Sequence, residues 1–167
     1  MSNTIVLKQV QTGRAQIEKT AAAILYPGHL IERTSADKVQ KHSTSGGTCS
    51  LPMFAIEDEN QGNGIDDVYA ADARVVCWMP QRGDQVYAVL ADDSANVVIG
   101  DYLESNGDGT LKKFAADTAD SDDAFTGYDR QVVAQADEAL NLTDSSGGET
   151  VNTFDGGYDQ RIKVTIV

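Results

Sequence analysis

The most informative stretch of this 167-residue chain is Gly100-Asp101-Tyr102-Leu103-Glu104-Ser105-Asn106-Gly107-Asp108-Gly109-Thr110-Leu111-Lys112-Lys113. Leu103 and Leu111 flank Asn106-Gly107 and Asp108-Gly109, two dipeptides that favour left-handed backbone at the tip of a hairpin. The stretch therefore predicts a short strand, a tight glycine turn and a second strand. No part of it is typical of a catalytic motif.

A weaker copy of this hairpin lies upstream, between residues 28 and 41. At one constant offset the alignment pairs Gly28 with Gly100, Glu32 with Glu104, Val39 with Leu111 and Lys41 with Lys113.

Two further segments repeat after the hairpins, an apolar strand that ends in acids and an arginine-led strand. The matched segments are Pro52–Glu59 with Gln131–Glu138, and the strand that starts at Arg74 with the strand that starts at Arg161. Short strands separated by glycine turns favour a sandwich or a barrel. We therefore expect an all-β fold, with one or two small β-sandwich or barrel-like domains built from a degenerate twofold repeat.

The chain divides into an N-terminal arm, residues 1–25, and a β-rich part, residues 26–167. The arm is predicted to be extended or to contain a short helix, because residues 13–24 show no clear hydrophobic period. The two repeat halves are expected at approximately 26–90 and 97–167, and the second half carries the longer acidic loops.

The formal net charge of −13 and a pI near 4.3 bear on the partners of the chain. Affinity for a phosphate backbone comes mainly from lysine and arginine, so this balance argues against nucleic acid and against anionic membrane surfaces. No run approaches the roughly 18 apolar residues that span a bilayer. The N-terminus lacks the basic start and long apolar stretch of a signal peptide, which predicts synthesis in a cytoplasm and reduced thiols at Cys49 and Cys77.

One set of residues in the second hairpin resembles a calcium-binding loop. Glu104, Asn106, Asp108 and Gly109 fit its positions one, three, five and six, but Ala115 stands where the last acidic ligand is needed. The flanks also read as strands instead of helices. A hairpin turn is therefore favoured over a calcium site.

Other candidate chemistry is equally weak, and we predict neither an enzyme nor a metal or cofactor site. Arg82-Gly83-Asp84 is interpreted as a turn. His29 and His42 are not at zinc spacing with the cysteines and are expected to be exposed. The consecutive acids Glu57, Asp58 and Glu59 lack a neighbouring histidine that would suggest a triad. A small β-fold hydrolase is therefore disfavoured.

Three segments, in this order, resemble the capsid decoration (cement) proteins of tailed bacteriophages: Glu59–Val75, Gln81–Leu90 and Ile99–Leu111. In that family a Gly-Asp strand, an acidic glycine turn and a further strand recur in the same order. The resemblance covers roughly residues 26–138.

The resemblance implies a non-enzymatic virion protein, made in the host bacterial cytoplasm and bound to the outer surface of the expanded phage head. It implies binding to the major capsid protein where neighbouring subunits meet, usually as a homotrimer. An outer position agrees with the charge, because packaged DNA would repel an acidic chain. The alternative is a β module on a virion or cell exterior that binds host glycan.

The candidate capsid-contact residues lie in the arm: Ile5, Val6 and Leu7, together with Ile17. Extended arms can pair with the sheet edge of a neighbouring protein, which is the reason for this choice. The alternative is that these side chains pack on the core of their own chain.

Overall fold

In a computed structural model of the chain, the described residues are 3–10, 15–91, 96–115, 131–142 and 160–167. These residues contain eleven strands and one turn of 3-10 helix, Glu59–Gln61, so the all-β class is confirmed. The strands are β1 (Val6–Lys8), β2 (Gln16–Thr20), β3 (Leu30–Arg33), β4 (Val39–Lys41), β5 (Met53–Ile56), β6 (Arg74–Trp78), β7 (Gln85–Leu90), β8 (Tyr102–Ser105), β9 (Leu111–Lys113), β10 (Val132–Ala136) and β11 (Gln160–Ile166).

The strands form two sheets, and both close or nearly close on themselves. The first has the order β2-β6-β5-β3-β4, and the second has the order β1-β7-β11-β10-β8-β9. A parallel pairing of β7 with β9, at Leu90 and Leu111, closes five strands of the second sheet into a barrel. In the first sheet an isolated parallel bridge joins Ala21 to Val39. Closure gives partners to backbone groups that an open sheet leaves at its edges.

The two sheets repeat one topology. Replacing β2, β3, β4, β5 and β6 by β7, β8, β9, β10 and β11 converts the first strand order into the barrel order of the second. The closing contact recurs as well: the Ala22 N–H donates to the Val39 C=O at 2.7 Å, and the Ala91 N–H donates to the Leu111 C=O at 2.8 Å. The twofold repeat predicted from the sequence is therefore a repeat of the strand order.

The boundaries of the repeat differ from the predicted ones by one strand at each end. β2, placed in the N-terminal arm, is the first strand of the first half, and it is a strand and not a helix. β7, placed in the first half, is the first strand of the second half. The halves are therefore β2–β6 and β7–β11, and β1 is an additional strand paired with β7.

The sequence alignment matched Pro52–Glu59 with Gln131–Glu138, and the strand pairing displaces this match by two residues. Phe54 pairs with Trp78, and Gln135 pairs with Thr165, so Phe54 corresponds to Gln135. A register irregularity of β10 after Val132 accounts for one of these two residues of displacement. An extra residue in one strand is the usual product of a β-bulge, which leaves no signature in a letter-by-letter alignment.

β5, in the middle of the first sheet, is buried on both of its faces. Met53 and Ala55 belong to a core inside the first half, whereas Phe54 and Trp78 belong to the larger core shared with the second half. Side chains alternate across a strand, so the outer face of the first sheet packs against the second half. At the positions corresponding to Phe54 and Trp78, the second half carries the polar residues Gln135 and Thr165.

Candidate interaction surface

The tip of the β8–β9 hairpin docks against the first half of the chain. The Leu30 N–H donates to the Gly109 C=O at 2.7 Å, and the Gly109 N–H donates to the His42 C=O at 3.2 Å. A Cβ atom on Gly109 would lie 2.9 Å from Lys41 Cγ, and its φ is +87°. Only glycine combines this left-handed backbone with so close an approach.

The predicted hairpin turn is confirmed at the four residues that resembled a calcium loop. The Asp108 carboxylate accepts hydrogen bonds from the Thr110 N–H, at 2.9 Å, and from Asn106 Nδ2, at 3.0 Å. Burial acts to raise the pKa of Asp108, but the bonds from Thr110 and Asn106 outweigh it and the pKa is lowered. Within the described residues, no three His, Cys, Asp or Glu side chains are grouped to hold a metal ion.

The turn interpretation of Arg82-Gly83-Asp84 is also confirmed. Gly83 has a φ of +90°. The buried Asp84 carboxylate accepts hydrogen bonds from the Val10 N–H at 2.7 Å and from the Gln81 N–H at 2.8 Å. Asp84 therefore holds the N-terminal segment in place and is not presented to a partner.

A serine, a histidine and a glutamate lie close together where the two halves meet. Ser105 Oγ is 2.8 Å from His42 Nδ1, and Glu32 Oε2 is 3.9 Å from His42 Nε2. These are the residue types of a hydrolase triad, but Ser105 is completely buried and its Oγ accepts a hydrogen bond from the Gly107 N–H. A nucleophile needs access to its substrate, so we interpret this chain of contacts as a structural link between the halves.

The prediction that both histidines are exposed is wrong, because the packing of the two halves buries them. His42 lies under the β8–β9 hairpin tip. His29 occupies a repeated turn, where its Nδ1 accepts a hydrogen bond from the Tyr26 N–H at 3.2 Å. The Asp101 carboxylate has the same role in the second half, accepting from the Val98 N–H at 2.9 Å.

His29 is expected to make the fold sensitive to acid. Burial, with a smaller contribution from the charge of Lys41, lowers the pKa of the His29 imidazole from 6.5 to about 3. Between these two pH values the unfolded chain binds a proton that the folded chain does not, so the free energy of unfolding falls as the pH falls. His29→Asn keeps an acceptor for the Tyr26 N–H and removes the titrating group. Its stability should change less than that of the wild type over this pH interval.

Urea unfolding at several pH values between 6.5 and about 3 tests this. Subtracting the stability profile of His29→Asn from that of the wild type removes the contribution of the carboxylates, which both proteins share. Parallel profiles would show that His29 does not contribute to acid sensitivity.

The four arm residues chosen from the sequence are not presented together on a surface. Ile5 and Val6 are buried in the larger core, and the partly buried Leu7 packs against it. Ile17, on β2, packs against the core of the first half. The pairing of β1 with β7 explains the burial, because the Tyr87 N–H donates to the Ile5 C=O at 2.8 Å. Ile5 and Val6 therefore pack on the core of their own chain, and we do not retain them as contact residues.

The main candidate surface is an open groove of about 910 Å³ beside the boundary of the two halves. Ten of the fourteen described residues that line it have apolar side chains, and only Arg82 has a charged one. Leu51 is 67% exposed and Tyr102 is 51% exposed, so large apolar side chains face solvent here. The lining residues are Cys49, Ser50, Leu51, Pro52, Pro80, Gln81, Arg82, Tyr102, Phe114, Gln131, Val132, Val133, Ile166 and Val167.

Sequence reasoning missed this groove, although one signal was present. Tyr102 alternates with the buried Leu103, so it had to point away from the core of its own half. The thiols do not add reactivity: both cysteines are free and buried, and burial raises the pKa of Cys49 to about 11 and of Cys77 to about 12. An apolar groove without reactive groups is suited to contact with another molecule.

Among the described residues, no helix has the length and apolar character needed to cross a membrane. The predicted loops at 115–130 and 143–157 lie, apart from Ala115, outside the described residues. No protein-family model and no curated protein matches this chain.

Proposed function

We propose that this chain is a capsid decoration protein, which binds the outer surface of an expanded phage head at junctions between major capsid subunits and stabilises the head. The observation that carries the proposal is a duplicated β fold with an exposed apolar groove and no accessible reactive cluster among its described residues. A protein that only reinforces a shell needs contact area and no chemistry.

The contacts that the polar side chains make within the fold support this proposal. Ser105 and His42 link the two halves, Asp108 closes a hairpin turn, and Asp84 anchors the N-terminal segment. Glu57 accepts hydrogen bonds from Thr4 Oγ1 and from the Ile5 N–H. Each of these groups is used in holding the fold together.

The net charge of −13 supports an outer position, because packaged DNA would repel the chain. Binding that occurs only on the assembled, expanded shell stabilises that shell by mass action. The major capsid protein is the proposed partner, and a homotrimer is the proposed form of the bound protein. Many copies with modest interfaces would together oppose the internal pressure of the packaged head.

Co-sedimentation with expanded, undecorated heads of the phage that encodes the chain tests the proposal, with unexpanded proheads as the matched control. We expect saturable binding to expanded heads and increased resistance of those heads to heat or chelator. Absence of binding to both forms would exclude the cement role.

The alternative function is binding of a host glycan. It is less well supported because Tyr102 is the only large aromatic side chain that is exposed among the described residues. Glycan-binding surfaces usually stack sugar rings on the faces of exposed aromatic side chains. If the chain failed to bind heads, a glycan array with wild type and Tyr102→Ala would test this reading, which requires binding that the substitution abolishes.

A further inference from the structure

Each half of the chain has a hairpin tip and a receiving site, and among the described residues only one tip and one receiving site contact each other. The receiving site of the first half is the pair formed by the Leu30 N–H and the His42 C=O. Both groups bind the peptide of Gly109, which belongs to the tip of the β8–β9 hairpin. The His42 N–H also donates to the Leu30 C=O at 3.0 Å, so the inserted tip widens one side of the β3–β4 pair.

The same site exists in the second half. Tyr102 and Phe114 correspond to Leu30 and His42, and the Phe114 N–H donates to the Tyr102 C=O at 2.8 Å, as the His42 N–H does to the Leu30 C=O. No described backbone group bonds to the Tyr102 N–H or to the Phe114 C=O. Both residues line the apolar groove, and Tyr102 is exposed. Within the described part of the chain, the receiving site of the second half therefore leaves the Tyr102 N–H and the Phe114 C=O without a backbone partner.

The hairpin tip of the first half makes no backbone hydrogen bond to another described segment, although the Asp37 carboxylate accepts from Lys19 and Arg33. Residues 34–37 correspond to 106–109, and both turns close in the same way: the Thr34 N–H donates to the Lys38 C=O and the Asn106 N–H to the Thr110 C=O. Asp37 has a φ of +59°, close to the left-handed backbone of Gly109. Ser35, Ala36 and Asp37 are exposed, whereas Gly109 is buried at its receiving site.

We propose that the β3–β4 hairpin tip of a second copy of this chain docks in the groove at Tyr102 and Phe114, so that copies associate head to tail. The contact continues the one that already joins the two halves of each chain. On docking, the Asp37 N–H exchanges its bond to the Thr34 C=O for one to the Phe114 C=O. The Asp37 C=O then accepts from the Tyr102 N–H.

Charge complementarity at this contact requires an exchange of ion pairs, because Lys113 pairs with Asp101 at 2.7 Å and Asp37 pairs with Lys19 at 2.8 Å within the chain. Lys113 corresponds to Lys41, the residue that lies against Gly109, so a docked Asp37 stands next to a lysine. Head-to-tail contacts form closed rings when the rotation closes and open filaments when it does not. This inference does not depend on capsid binding.

Sedimentation velocity of the full chain without phage heads tests the proposal, in combination with three variants of exposed side chains. Ala36→Trp enlarges the tip, and Tyr102→Glu places a negative charge in the groove that receives Asp37. Ile99→Glu is the matched control, because Ile99 is 70% exposed in the same half and receives the same charge change. We expect wild type and Ile99→Glu to associate, and Ala36→Trp and Tyr102→Glu each to lose association.

A one-to-one mixture of Ala36→Trp and Tyr102→Glu provides the decisive measurement. The first variant keeps an intact groove and the second keeps an intact tip, so the mixture should form a dimer that neither variant forms alone. Circular dichroism confirms that each variant is folded. A wild type that stays monomeric at every concentration, or a mixture that contains only monomers, overturns the proposal.

Discussion

Trp78→Ala should lower the free energy of unfolding by about 3–5 kcal/mol, the usual cost of removing a large aromatic side chain from a core. Trp78 is 1% exposed and belongs to the core that the two halves share. It pairs with Phe54 across the first sheet, on the face turned toward the second half. The cavity left by the indole ring would open between the halves, where neither sheet can collapse without moving the other.

Urea unfolding, monitored by the circular dichroism of the backbone so that the signal does not depend on the tryptophan, measures this effect. Ile99→Ala is the control, since an exposed side chain away from special features should change stability by no more than about 0.5 kcal/mol. Wild type should unfold in a single transition, because the halves share one core. A loss for Trp78→Ala as small as that of the control would contradict the packing described for the outer face of the first sheet.

Gly107→Ala is the second substitution for which we expect a large loss of stability. Gly107 has a φ of +92°, and a Cβ atom there would lie 2.8 Å from the backbone nitrogen of Ser45. Left-handed backbone costs a residue with a side chain roughly 1–2 kcal/mol. The clash with a backbone atom should add roughly 1–3 kcal/mol, as overpacking does elsewhere. The Gly46 N–H donates to the Ser105 C=O at 2.8 Å, so the Ser45 segment cannot move away freely.

Gly62→Ala separates the two contributions. Gly62 has a φ of +78°, but nothing lies within 4 Å of the position that its Cβ would take. This variant should therefore lose only the cost of the left-handed backbone. Equal losses for Gly62→Ala and Gly107→Ala, measured by urea unfolding, would show that the contact between hairpin and loop contributes no stability.

The sequence was sufficient for the elements whose signal is local. Asn106-Gly107 and Asp108-Gly109 sit between residues of alternating polarity, and they predict a hairpin without reference to any other part of the chain. β11 was predicted for the same reason, because isoleucine and valine alternate with polar residues along it, a pattern that favours a pleated, half-buried strand. The repeat was visible because these local signals recur in one order.

The boundary of the repeat was not predictable in this way. β2 and β7 occupy equivalent places in the two strand orders but have different sequences. Lys19 of β2, for example, lies at the position that Ala88 takes in β7. Lys19 reaches Asp37 with its ammonium group at 2.8 Å, whereas Ala88 is fully buried in the barrel core. Only the pairing of the strands shows that these two positions are equivalent.

The amino-acid sequence by itself determined the all-β class, the duplication, the glycine turns and the acidic charge, because each follows from neighbouring residues or from composition. The tertiary structure alone decided which surfaces are covered. Ile5, His29 and His42 are buried, and Tyr102 is exposed, because of contacts between segments that are distant in the chain. Burial depends on what packs against a residue, and the letters around that residue do not contain this information.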